Sequence, residues 1–294
     1  MDRRFLLQAW TLALISKARA AEPLPVVATF SILADMTRVI GGDDITVRTL
    51  VPVDGDAHAW EPKPADLRAV RAAAVLVQNG LGLEGWMARM PKAADFKGLL
   101  VTAARDVEPR LMTEDGKQVT DPHAWQDPRN GVLYVRAIAD GLRGALPEAA
   151  ARMTSRADAY ISEIEVTDRF ITEALAAIPA AKRIILTSHD AFGYYGARYG
   201  ITLRAVQGIS TEGEPSAKDI ATLVAQIKRE KIHAVFVENM TDPRLSAAVA
   251  RESGAVLGPN VYSDALSPSG GPADTYLKML RHNTQRFAEA MALN

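Results

Sequence analysis

Short runs of uninterrupted apolar residues alternate along the chain with stretches in which apolar positions recur every three or four residues. In the first half the runs are Leu24–Phe30, Ile45–Val51, 74–78 and Leu99–Thr102; in the second they are 183–187, 202–206, 234–237 and 255–257. Runs that are apolar throughout suit parallel strands covered on both faces. Amphipathic stretches lie between them, at 32–40, 65–73, 217–230 and 242–253. This alternation predicts an α/β fold of two lobes, each a parallel sheet flanked by helices with right-handed crossovers. Ser216, with Asp219 three residues on, marks a helix start.

The alternation stops between the halves. Over 147–178, Met153, Ala157, Tyr160, Ile161, Ile164 and Phe170 recur at helical steps, with Pro147 at the start and Pro179 past the end. A helix of about thirty residues runs about 45 Å and would act as a strut holding the lobes at a nearly fixed angle. The predicted organisation is therefore a lobe over 22–146, a linker helix over 147–178 and a second lobe over 179–294, with a last helix at 273–292. The length of 294 residues suits two domains of roughly 130.

The first residues follow another pattern. Arg3-Arg4, an apolar stretch over 5–15 and Ala18-Arg19-Ala20 read as a secretory signal peptide over 1–21, cleaved near Ala20 or Ala21. The stretch is shorter than the roughly 20 residues of a permanent span. Arg3-Arg4-Phe5-Leu6 partly resembles a twin-arginine signal, so both export routes stay open. No cysteine occurs, which excludes disulfides, thiolate metal sites and thiol nucleophiles, and leaves no cysteine to carry an N-terminal lipid. The formal net charge of −1 gives no attraction to nucleic acid. The expectation is an exported, unlipidated protein of the periplasm.

Only five histidines occur, and three stand in loops rich in turn residues. His58 lies in Gly55-Asp56-Ala57-His58-Ala59-Trp60-Glu61-Pro62 after a strand-like run. His123 lies in Asp121-Pro122-His123-Ala124-Trp125, which repeats His-Ala-Trp. His189 ends a strand-like run in Thr187-Ser188-His189-Asp190-Ala191-Phe192. Loops after strand ends form the ligand crevice of an α/β lobe. Imidazole is the commonest metal ligand, and imidazoles with a carboxylate suit a divalent transition metal. Asp264, in Tyr262-Ser263-Asp264, reads as a fourth ligand or as a plain turn residue. The tryptophans read as packing anchors that could also shelter a metal. Ser188-His189-Asp190 is no catalytic triad, because adjacent residues cannot adopt its geometry.

With the further run Gly208-Ile209-Ser210-Thr211-Glu212, these motifs resemble the periplasmic metal-binding proteins of zinc/manganese ABC importers, across essentially the whole chain after residue 21. The resemblance implies that His58 and His123 supply ligands from the first lobe and His189 and Asp264 from the second. It implies a membrane permease and an ATPase as partners, a monomeric chain, and no enzymatic activity. The third ligand is histidine or glutamate among relatives. Histidine here favours Zn2+ over Mn2+, which prefers more oxygen. Two departures leave zinc open, with manganese or iron as the alternative: the region 109–120 has no histidine, and the disulfide of many zinc members is absent. Glu238 and Asp190 are candidates to orient the rings, whereas Glu61 and Glu212 suit surface or capping roles. His233 and His282 are left out of the site. The competing readings are a zinc hydrolase, which needs an open coordination position, an adhesin with incidental metal, and a sugar- or amino-acid-binding protein.

Overall fold

The computed structural model describes residues 22–114, 117–211 and 216–294. The expected signal peptide therefore lies outside the described residues. The first lobe opens with β1 (Leu24–Phe30), α1 (Ser31–Gly41), β2 (Ile45–Val51), α2 (Pro64–Ala72), β3 (Val75–Gln78), the single turn α3 (Met90–Ala93) and β4 (Leu99–Thr102). Its strands are parallel in the order β2-β1-β3-β4. An antiparallel hairpin, β5 (Leu111–Glu114) and β6 (Lys117–Thr120), leads to α4 (Pro128–Ala145).

A 3-10 turn at Pro147–Ala149 precedes the long helix α5 (Ala150–Ala176). The second lobe then runs through β7 (Ile184–Thr187), α6 (Gly193–Tyr199), β8 (Thr202–Ala205), α7 (Ala217–Glu230), β9 (Ala234–Val235), α8 (Pro243–Ser253), β10 (Val256–Leu257) and α9 (Tyr276–Leu293). Its sheet is parallel in the order β10-β9-β7-β8. Ser216 and Asp219 cap α7 reciprocally, as the sequence suggests.

Packing explains why these strands carry no polar alternation. Along β1, Val26, Ala28 and Phe30 point into the central apolar layer while Val27 points to the outer one with Leu50, Val70 and Leu76. In the second lobe Ile185 faces inward and Leu186 outward, onto Val224 and Ile227. Along the inner strands both faces are buried, so both parities must be apolar, whereas the edge strands β4 and β10 leave Leu99, Leu100, Val256 and Leu257 exposed.

The central layer is shared by the two lobes. It joins Phe30, Ile32 and Leu33 to Tyr160, Ile164, Phe192, Tyr276 and Phe287. The strut expectation is thus sharpened: α5 packs against α1, α4 and α9. Its N-terminal end is tied to the first lobe by Arg152 and Arg156 on Asp44. Its C-terminal end is held by Arg183, which donates to the carbonyls of Leu175, Ile178 and Tyr199. The last helix, expected on one lobe, also reaches the other: its first backbone N–H donates to Asp35 of α1.

Candidate metal centre

The crevice lies at the C-terminal ends of both sheets, where loops from four distant parts of the chain converge. His58 follows β2, with its backbone N–H bonded to Asp56 Oδ1 at 2.8 Å, a turn that sets the ring direction. His123 follows the hairpin; its loop is propped by Asn79, which donates to the Pro122 carbonyl and accepts from the Tyr134 hydroxyl. Behind Asn79 sits Glu84, raised above the usual carboxylate range by burial and bonded to Thr29 and the Asn79 N–H. His189 sits directly after β7, between its neighbours β8 and β9 where the strand order reverses, the usual ligand position of an open α/β sheet. Asp264 follows the bridge between Glu238 and Val261.

The four side chains meet. His58 Nε2 lies 3.1 Å from His123 Nε2 and 3.2 Å from Asp264 Oδ2. His189 Nε2 lies 3.4 Å from His123 Nε2 and 3.3 Å from Asp264 Oδ2, and Asp264 Oδ1 lies 3.7 Å from His123 Nε2. Each residue offers one ligand atom to a common point. Among the described residues, neither oxygen of the fully buried Asp264 has an aligned hydrogen-bond donor, and the groups facing it are the three imidazoles. A buried carboxylate without donors is costly unless a positive charge faces it.

Two further carboxylates stand behind the rings. Asp121 Oδ1 contacts His123 Nδ1 at 2.9 Å and also accepts the His123 backbone N–H. Glu238 Oε2 lies 2.6 Å from His189 Nδ1, an ion-pair contact without hydrogen-bond alignment, and its Oε1 accepts the His189 backbone N–H at 2.8 Å. Nδ1–H turned toward a carboxylate leaves the Nε2 lone pair facing the centre.

Burial lowers His123 and His189, but the carboxylates outweigh it. His123 is pushed up to about 9 by Asp264 and Asp121, and His189 well above the histidine range by Glu238 and Asp264. Burial likewise raises Asp264, yet the two imidazoles hold it well below its ordinary value.

Of the two expected ring-orienting residues, Glu238 stands in that place. Asp190 donates its backbone N–H to the Gly208 carbonyl and does not cap α6, which Phe192 precedes without a side-chain cap, while its largely buried carboxyl feels the charges of His123, His189 and Asp121. Asp121 was readable only as part of a motif, although it stands two residues before His123. Trp125 does more than pack. Its ring is buried against Phe30 and His123, and its indole N–H donates to the Ser263 carbonyl at 2.8 Å, beside Gln126 at 2.9 Å. These two donors of the first lobe thereby fix the residue before Asp264. Glu61 is exposed, Glu212 lies outside the described residues, and His282 bonds the Asn260 carbonyl away from the cluster.

Comparisons with known proteins bear on the reading. The family model described as ZnuA, zinc-uptake complex component A, periplasmic, matches residues 26–290. The manganese-binding lipoprotein MntA of Halalkalibacterium halodurans is 33% identical over 272 residues, 92% of this chain and 89% of that protein. The iron ABC transporter substrate-binding lipoprotein MtsA of Streptococcus pyogenes serotype M1 is 32% identical over 286 residues, 94% of this chain and 92% of that protein. The solved periplasmic zinc binding protein TroA from Treponema pallidum superposes with a TM-score of 0.87 at 28% identity, covering 92% of this chain and 99% of that one.

Proposed function

This chain belongs to the family of zinc-uptake complex component A, a family of metal-binding substrate-binding proteins of ABC importers, not of enzymes, and from that premise we propose that it captures one Zn2+ between its lobes, through His58, His123, His189 and Asp264, and delivers it to a membrane permease driven by an ATPase. The observation that carries the reading is the convergence of three imidazole Nε2 atoms with an undonated carboxylate. Atoms about 2.0–2.1 Å from a central zinc stand roughly 3.3–3.4 Å apart in a tetrahedron. Four separations, 3.1, 3.2, 3.3 and 3.4 Å, lie near that edge, the other Asp264 oxygen is 3.7 Å from His123, and one ligand atom of each residue lies within 4.8 Å of the others. Four protein ligands would fill a tetrahedral shell and leave no open position of the kind a hydrolytic zinc keeps, which suits holding and handover. Each imidazole must bind as the neutral base, so loading expels protons.

Manganese is the second reading. Both oxygens of Asp264 are free to bind, which would add an oxygen ligand that Mn2+ favours. The relatives named for manganese and iron also support it. The family description as periplasmic supports an exported protein. Several relatives are named lipoproteins, so they lend nothing to the expectation of a chain without a lipid anchor.

The test is metal analysis of protein taken from its own compartment, then zinc–manganese competition. One metal per chain is expected, with zinc retained against manganese. Retention of manganese instead selects the second reading. Unchanged stoichiometry and affinity in His58→Ala and His189→Ala would sink the site assignment.

A further inference from the structure

The four candidate ligands are not held alike. The side chains of His123, His189 and Asp264 are 0% exposed, whereas that of His58 is 6% exposed. The three closed ones are gripped by buried groups: Asp121, Glu238, and the Trp125–Gln126 donors on Ser263. Behind them lies the apolar layer shared by both lobes.

The His58 loop seats Ala57 in that layer and is otherwise held by polar bonds nearer the surface. Within the first lobe, Trp86 Nε1–H donates to the Ala57 carbonyl at 3.0 Å. Three further bonds cross to the second lobe. Asp54 donates its backbone N–H to the Leu266 carbonyl at 3.2 Å, and its carboxylate accepts from Asn239 Nδ2 at 2.7 Å. Asp56 does two jobs at once. Its Oδ1 accepts the backbone N–H groups of His58 at 2.8 Å and Ala59 at 3.3 Å, while its Oδ2 accepts the Thr211 hydroxyl at 2.6 Å across the seam.

We infer that Asp56 is a positioning residue that latches the His58 loop to Thr211, and that opening of this latch sets the rate at which metal leaves. This rests on the metal-capture reading and adds a route of exchange to it. The energetic ground is the contrast between the two kinds of contact. Parting the lobes would expose the shared apolar layer, whose cost grows with area. Opening the loop at 54–58 uncovers little of that layer beyond Ala57 and exchanges a few partly exposed hydrogen bonds for bonds to water, and such contacts open locally long before the whole core does. The Asp56 carboxylate links both ends of that motion, because the oxygen that holds His58 and the oxygen that holds Thr211 belong to one rigid group. When Thr211 lets go, the turn that aims His58 loses its second anchor. Weakening only the closed state raises the dissociation rate and leaves capture unchanged.

The test is stopped-flow release from protein loaded with Zn2+, and separately with Mn2+, into excess chelator. Thr211→Val removes the hydroxyl and keeps the shape; loss of one charge-assisted hydrogen bond should speed release about 5- to 20-fold. Association should stay within about twofold, and the metal-free melting temperature should not move, which separates a latch from a folding defect. Thr211→Ser should release at the wild-type rate. Asp56→Ala, which also loses the turn, should release at least as fast as Thr211→Val. Wild-type release by Thr211→Val, or equally fast release by Thr211→Ser, overturns the latch while the capture reading stands. A wild-type protein that holds neither metal overturns the capture reading and the latch with it.

Discussion

Two carboxylates stand behind the imidazole cluster and a third stands within it. Asp121 and Glu238 fix the rings of His123 and His189, and Asp264 faces all three histidines. Partners of this kind typically carry 10- to 100-fold in metal affinity, so Glu238→Ala is predicted to weaken binding by about that factor, read by isothermal titration; an affinity within twofold of wild type would remove Glu238 from the site. Protonation gives a second prediction. His123 is raised to about 9, so in the metal-free chain its proton must be displaced before metal binds at neutral pH. Affinity should fall by about tenfold per pH unit for each proton displaced as the pH drops below about 9, and a flat profile from pH 6 to 8 would contradict this. Stability of the metal-free chain runs the other way. A histidine raised in the fold contributes stability fully present below its unfolded value of about 6.5 and lost as pH rises through about 9. The histidines of the cluster were legible because turn residues and strand ends surround them. Asp264 was not, because Asp in a turn is ordinary, and only its buried, donor-free environment sets it apart. Asp56 and Asp121 each act two residues before a histidine, as backbone acceptors whose sequence looks like any turn.

At the level of elements, the inner strands of the sheets were readable because both faces are buried, while the hairpin β5–β6 was not. Its residues are largely exposed or half-buried, so no apolar period marks them. Helix α4 carries a start signal in the sequence, Asp127 capping ahead of Pro128, with Tyr134, Val135, Ile138 and Leu142 buried along one face. Its importance comes from the hydroxyl of Tyr134, which holds Asn79 and thereby the loop of His123. Helix α6 serves the same loop from the second lobe. A methyl group on Gly193, its first residue, would run into the Asp121 carboxylate and the Arg110 guanidinium paired with it. The absence of a side chain there lets the helix start close against the group that orients His123. Gly193→Ala is therefore predicted to weaken metal binding, although glycine-to-alanine within an open helix ordinarily favours it by about 1 kcal/mol. The expected pattern is a loss of affinity of at least several-fold with a metal-free melting temperature close to wild type; unchanged affinity would show that Asp121 can shift without disturbing His123.

At the scale of the molecule, the central layer makes the two sheets one folding unit. Residues of α1, α4, α5, α6 and α9 share that layer, and α5 is bound to the first lobe at one end and to the second at the other. The long helix was legible in the sequence as a strut; its role as the wall of a common core was not, because helical periodicity says which positions are apolar and not what they face. Two lobes that share a core cannot unfold one after the other without exposing it, so the metal-free chain is predicted to melt in a single transition by calorimetry. The candidate ligands come from both sides of that unit, so metal bound only by the folded form adds stability to the whole. At a free metal concentration of about 100 times Kd the gain is about 2.7 kcal/mol, which for a chain of this size corresponds to a rise of about 5 °C in Tm. The rise should grow with metal concentration and should be lost in His189→Ala. Two separate transitions in the metal-free chain, with metal moving only one of them, would mean that the lobes fold independently and that the central layer couples them weakly.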